Sequence, residues 1–310
     1  MTGRLAILCP GQGGQHPGMF ALFANAGAAL ERQIETALGR TVASALSDNA
    51  ALFSNRLAQP LVVAATLAAW ETLRADLPSP SLVAGYSIGE LSAHCVAGTF
   101  SGEQTIALAA LRAGAMDQCA TGAAQAMLAV TGMNVATAQP ILTANGAYLA
   151  IETGFDTLIA GGTREALLTA EHAFLAHSAR TGWLPVTVAS HTPLMSAARQ
   201  QFEQHLSRAP FVDPLLPTLY PVLAGVSGDL VRSKDQARTA LLRQMTEPLR
   251  WAQCMDAMAE NGITVALELG PGAALSRMLP LRQPGIACRS VADFRSIDGI
   301  SQWVRRALDA

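Results

Sequence analysis

The stretch Gly85-Tyr86-Ser87-Ile88-Gly89 constrains this chain more than any other. It follows an apolar run at 81–86 that reads as a short buried strand, and it leads into an Ala- and Leu-containing run at 88–97 that reads as a helix. A G-x-S-x-G on a strand–turn–helix makes a sharp turn that pushes the serine hydroxyl out of the sheet. The flanking glycines lack Cβ, so neighbouring backbone can close against the turn. Strained backbone costs ~1–3 kcal/mol and persists only where its surroundings enforce it. The competing reading is a serine that merely caps a helix after a glycine turn.

The order of elements supplies those surroundings. Residues 4–9 read as a buried strand ending in the glycine loop PGQGGQHPG. Helical patterns follow at 19–37 and 60–76, the second opening on Pro60, a favoured first helical residue. Ser101 opens a further helix, with Gln104 three residues on as a capping box. After Thr121 the register changes: strand 126–130, helix 134–143, strands 147–152 and 157–161, helix 164–178 and strand 183–188. That βαββαβ order within about 65 residues is ferredoxin-like. Strand–helix alternation resumes with a helix at 193–208, a strand at 217–223, helices at 235–245 and 251–261, strands at 264–270 and 285–291, and a helix at 299–308. The expected fold is α/β: a large α/β-hydrolase-like domain with a mostly parallel sheet (1–122 and 190–310) and an inserted ferredoxin-like subdomain (123–189).

Bulk properties exclude several functions. With 310 residues and half of them hydrophobic, the chain can bury a full core. Charged residues make up 14% and the net charge is −2, so overall electrostatics imply no nucleic-acid or membrane partner. No run approaches the ~18 apolar residues of a membrane span, and the N-terminus lacks a signal-peptide pattern. Five scattered cysteines without CxxC read as reduced thiols in a cytoplasm, and no metal site is expected.

A nucleophilic serine needs a base. His94 lies seven residues along the same helix, ~10 Å from Ser87 at 1.5 Å per residue, and is out of reach. His172, His177 and His205 read as surface residues; His16, after the first glycine loop, stays open. His191 directly follows WLPVTVAS, at a turn before a helix, where open α/β sheets place their sites; it is either the base or a cap for that turn. The Ile88 N–H faces an oxyanion beside Ser87, and a second donor can come from the loop at 10–15. That loop fails the G-x-G-x-x-G pattern of a dinucleotide site, because His16 stands at the third glycine position. Arg112, in the weakly charged run IALAALRAGAM, either binds a carboxylate as a buried cation or snorkels to Glu103, Asp117 or solvent.

Together these segments resemble the malonyl-CoA:acyl carrier protein transacylases over nearly the whole chain. The matching stretches are PGQGGQ (10–15), GYSIGE (85–90), LRAGAMDQ (111–118), SHTPLM (190–195), EPLRW (247–251) and ELGPG (268–272). The resemblance implies Ser87 as nucleophile, His191 as base, the Gln12 and Ile88 N–H groups as oxyanion hole, and Arg112 as partner of the malonyl carboxylate. It also implies a main-chain carbonyl that orients the histidine, matched to Arg250. The substrates it implies are malonyl-CoA and the prosthetic thiol of an acyl carrier protein, with no bound cofactor. Two departures stand out: Tyr86 where the family usually has histidine, and Glu152 where many members carry asparagine. These features look more like the malonyltransferase (epsilon) subunits of bacterial malonate decarboxylase, whose other subunits would then be partners, than the fatty-acid-synthesis enzymes. A lipase- or thioesterase-type serine hydrolase shares the elbow, but those enzymes usually place histidine near the C-terminus, and none follows His205 here. A non-catalytic docking subunit is a third reading, with Arg277, Arg282, Arg289 and Arg295 meeting an acidic carrier or simply forming a solvated face.

Overall fold

The computed structural model describes residues 3–26, 28–211 and 220–310. Its strands are β1 (Leu5–Cys9), β2 (Leu82–Gly85), β3 (Gln125–Thr131), β4 (Tyr148–Glu152), β5 (Thr157–Thr163), β6 (Arg180–Trp183), β7 (Val222–Leu223), β8 (Leu230–Val231), β9 (Leu249–Arg250), β10 (Val265–Glu268) and β11 (Ala287–Ser290). They form two sheets. The first runs β11-β10-β1-β2-β7-β8, with every neighbouring pair parallel except the β7–β8 hairpin. β1, β2 and β10 are buried at every position, as expected of parallel strands covered by helices on both faces.

Strand order reverses beside β1, which has β2 on one side and β10 on the other. In open α/β sheets ligands bind in the crevice beyond the strand C-termini at such a switch point. Three loops meet there: residues 10–15 after β1, the Ser87 turn after β2, and the ELGPG loop after β10.

The second sheet runs β6-β3-β5-β4-β9. Its first four strands are antiparallel, in the order that a βαββαβ unit produces. The helices Val135–Ala144 and Arg164–Ala176 pack on one face through Leu128, Val130, Leu142, Leu158, Leu167 and Phe174. β9 comes from the C-terminal half of the chain and pairs in parallel with β4, so the two parts of the fold share a sheet edge.

Several sequence expectations need correction. The helix expected to open at Pro60 spans Asn55–Leu73, with Pro60 inside it. Residues 55–59 extend the helix N-terminally, and the buried amides among them are satisfied: Asn55 Nδ2 donates to Asp117 Oδ1 at 3.0 Å, and Gln59 Nε2 to Asn55 Oδ1 at 3.4 Å. The strand expected at 183–188 is instead Arg180–Trp183. Pro185 has no N–H to give the ladder, so pairing stops before it. The 19–37 helix is a 3-10 segment, Ala21–Ala26, followed by Ala28–Leu38, with a non-helical residue at Phe23. Of the strand expected at 217–223, residues 217–219 lie outside the described residues and Val222–Leu223 pairs with β2. The capping box at Ser101 forms: Gln104 N–H donates to Ser101 Oγ (3.2 Å) and Ser101 N–H to Gln104 Oε1 (3.1 Å).

Candidate active site

The turn after β2 holds Ser87 at φ 56°, in the left-handed region that disfavours a residue with a side chain. Its neighbours leave it little choice. A Cβ on Gly85 would overlap the Gly89 carbonyl, and a Cβ on Gly89 would overlap the Cys9 carbonyl. The Tyr86 N–H also donates to the Cys9 carbonyl at 2.9 Å. The sharp turn is therefore locked against the end of β1.

His191 comes from a segment 104 residues away and is strained in the same manner, at φ 62°. Its N–H donates to the Met245 carbonyl (3.1 Å), and its ring Nε2 lies 2.8 Å from Ser87 Oγ. The opposite ring nitrogen, Nδ1, faces the Gln244 carbonyl. A carbonyl accepts only, so Nδ1 carries the ring proton and Nε2 offers its lone pair to the Ser87 hydroxyl. Burial, chiefly, and the Arg112 charge lower the His191 pKa to about 3, against the Gln244 carbonyl, which raises it. The free imidazole is thus a neutral base throughout the physiological range.

The carbonyl that orients the histidine belongs to Gln244, and the expectation of Arg250 is corrected. Arg250 lies beyond the end of the helix Lys234–Thr246, in β9, where its N–H donates to the Gly225 carbonyl. Its side chain pairs instead with Glu152 across β4 and β9 (3.0 Å), which gives the unusual Glu152 a partner.

Gln12 lines the same cavity as Ser87. Ile88, the residue after Ser87, is fully buried. Among the described residues neither the Gln12 nor the Ile88 N–H has an internal acceptor. The loop at 10–14 is held by close packing: Gly13 N–H donates to Gln15 Oε1 (2.6 Å), and a Cβ on Gly14 would come within 2.5 Å of the Pro271 carbonyl oxygen.

Arg112 is 2% exposed. It does not snorkel, and its hydrogen bonds go to neither Glu103 nor Asp117. Its Nη1–H donates to Gln59 Oε1 (2.7 Å) and its Nη2–H to Gln244 Oε1 (3.2 Å). Both acceptors are neutral amides, and among the described residues no carboxylate pairs with this buried cation. The Gln244 amide also donates to the Ser87 carbonyl (3.2 Å) and to Glu90 Oε2 (3.1 Å). One residue therefore connects the serine turn, the histidine, the arginine and a buried carboxyl.

These groups open into a cavity of about 570 Å³. Its floor is polar (Gln12, Ser87, Arg112, His191), and its opposite wall is apolar (Met127, Ala129, Ile151, Ile159, Leu184, Val186). His94 is buried against Phe100, away from this space, and His16 is exposed. Among the described residues no helix is long and apolar enough to cross a membrane, and no acidic, cysteine or histidine cluster could hold a metal. Sequence reasoning missed Gln59, Glu90 and Gln244. A glutamine inside the apolar run before Pro60 was a usable signal, whereas Gln244 sits in a polar helix and carries none.

A family model described as acyl transferase domain matches residues 7–296. A malonyl CoA-acyl carrier protein transacylase of Mycobacterium bovis is 29% identical over 306 residues, 96% of this chain and 99% of that protein. The structure of a malonyl CoA-acyl carrier protein transacylase from Coxiella burnetii superimposes with a TM-score of 0.92, at 25% identity and 99% coverage of both chains. A malonyl-transacylase solved in complex with a type II polyketide acyl-carrier protein superimposes with a TM-score of 0.90 at 27% identity, over 96% of this chain and 99% of that one.

Proposed function

The chain belongs to the acyl transferase domain family, and from that premise we propose that it moves a malonyl group from malonyl-CoA to the thiol of an acyl carrier protein. His191 Nε2 takes the Ser87 proton as Oγ attacks the thioester carbonyl. The oxyanion lies between the Gln12 and Ile88 N–H groups; such donors are each worth ~10²–10³ in rate. The tetrahedral intermediate collapses, the C–S bond breaks and His191 returns its proton to the CoA sulfur. A malonyl-serine ester remains. The carrier thiol then gives its proton to His191 and attacks that ester, and the same steps run in reverse.

Arg112 is the observation that carries the malonyl assignment. Among the described residues this buried guanidinium is held by the Gln59 and Gln244 amides and pairs with no anion, and the free carboxylate of malonyl-CoA supplies one. A site of this kind rejects an acyl group that leaves the charge unpaired. The apolar wall keeps water from the ester, which separates a transferase from a hydrolase.

The relatives named as malonyl CoA-acyl carrier protein transacylases, and the neighbour solved with a polyketide carrier, support a fatty-acid- or polyketide-type carrier better than a malonate decarboxylase subunit. We place the reaction in the cytoplasm. We also keep the division into 1–122 with 190–310 and 123–189 as the working units, with the smaller supplying the apolar wall.

The test is mass spectrometry after mixing with malonyl-CoA or acetyl-CoA in the absence of carrier. The expected result is a stable malonyl adduct on Ser87 and little acetyl adduct. Rapid release of CoA without an adduct supports a hydrolase, and equal acetyl loading removes Arg112 from its role.

A further inference from the structure

Glu90 lies across Gln244 from Arg112. It sits on the first turn of the helix Gly89–Val96 and is fully buried. Its Oε2 accepts from the Gly225 N–H (3.2 Å) and from the Gln244 amide (3.1 Å). Its Oε1 is buried without a hydrogen-bond partner among the described residues. The same Gln244 side chain accepts from Arg112 through Oε1. A single amide thus bridges a buried carboxyl and a buried guanidinium that form no direct ion pair.

That spacing is unusual for a structural counter-ion. Arginine and carboxylate prefer parallel, two-bond contact, and a carboxylate at that position would occupy the N–H groups of Arg112. Here the amide keeps the two apart and Arg112 remains part of the cavity lining. The other ionisable groups around Glu90 are few. Cys254, on the helix Trp251–Glu260, is a thiol pushed up by burial and stays neutral. His191, on the far side of the Gln244 carbonyl, is a neutral base. Arg112 is therefore the one cation that Glu90 faces among the described groups.

We propose that Glu90 is an internal rival of the acyl carboxylate: uncharged, it leaves Arg112 to the substrate, and charged, it competes for Arg112 through Gln244. This rests on the malonyl reading above. Two anions cannot share one buried cation without strong mutual repulsion, so one of them takes a proton. The substrate carboxylate contacts Arg112 directly, whereas the unpartnered Oε1 of Glu90 is open to protonation. Burial raises the Glu90 pKa to about 8, against the Gly225 N–H and Arg112, which lower it. A raised carboxyl pKa means that the proton is already bound at neutral pH and is lost as pH rises through about 8. Below that pH malonyl-CoA meets a free cation. Above it, binding must take up a proton, and affinity falls by roughly tenfold per pH unit.

The experiment uses Ser87→Ala protein, which binds acyl-CoA without forming the ester. Calorimetry in two buffers of different ionisation heat counts protons taken up on binding. Malonyl-CoA is expected to take up almost none at about pH 6.5 and close to one at about pH 9, with its Kd rising in step. Acetyl-CoA carries the same CoA portion without the carboxylate and is expected to take up none at either pH. Adding Glu90→Gln to the Ser87→Ala background should abolish the uptake and flatten the malonyl profile. Malonyl binding without proton uptake at about pH 9 overturns the inference. So does uptake that survives Glu90→Gln, which assigns the proton to His191 once the substrate has offset the Arg112 charge. If Glu90→Gln does not fold, the proton count on Ser87→Ala alone decides. Malonyl-CoA that binds no tighter than acetyl-CoA at low pH overturns the proposed function instead, and this inference with it.

Discussion

The two walls of the cavity are built on opposite principles. The floor combines two left-handed non-glycine residues, Ser87 and His191, with the buried cation Arg112, and the buried carboxyl of Glu90 lies behind it. The facing wall, on β3, β4 and β5, is antiparallel sheet that lines the cavity mainly with apolar side chains. Each feature of the floor is unfavourable by itself, whether strained φ, desolvated charge or an unpaired polar oxygen. They persist together because Gly85, Gly89 and Gln244 over-determine the geometry. The apolar wall needs no such support, since burial of its side chains is favourable anyway. Chemistry concentrates where the fold holds unfavourable groups in place, and the opposite surface supplies shape and dryness.

The sharpest way to test that contrast is to remove the reacting pair. Ser87→Ala should abolish the acyl-enzyme and reduce kcat by about 10⁶, as for other activated serines, and His191→Ala should come close to it. The double variant should be little worse than Ser87→Ala, because the two act as a unit; additive losses measured by transfer assay would break the proposed dyad. Arg112→Ala should lower kcat/KM for malonyl-CoA by about 10² or more and leave acetyl-CoA much less affected. Equal losses for both would mean that the cation supports structure only. Gly85→Ala tests the supporting frame: a Cβ there overlaps the Gly89 carbonyl, and denaturant unfolding should show about 1–3 kcal/mol of lost stability. The smallest effect belongs to the seam between the walls. The Glu152–Arg250 pair is partly exposed, so Glu152→Gln should change stability by about 1 kcal/mol or less, with kcat/KM unaltered. A large kinetic effect there would mean that the apolar wall is positioned by this ion pair rather than by β4–β9 pairing.

Much of this architecture is written locally. The Ser87 turn and the capping box at Ser101 depend on residues within a few positions of one another, and each forms as the pattern requires. His191 was legible as a histidine placed after the second sheet's last segment, although that segment loses its strand at Pro185. The orienting carbonyl was not legible. Every residue presents the same carbonyl, so motif spacing pointed to Arg250, and only the path of the helix Lys234–Thr246 brings Gln244 to the imidazole. Glu90 was likewise silent, as a motif residue without an evident partner, whereas Gln59 stood out as a lone amide in an apolar helix.

The sequence by itself determined the turn, the order of strands and helices, and which side chains could carry charge or a proton, because these follow from short-range sterics and hydrophobic period. Only the tertiary structure decided who meets whom: that Arg112 is held by two neutral amides, that Gln244 joins four groups, and that Glu90 faces the same cation from behind. Those contacts join segments 53 to 157 residues apart in the chain. They form because close packing at the β1 switch point buries these polar groups together, so that they must pair with one another, and no local pattern encodes that outcome.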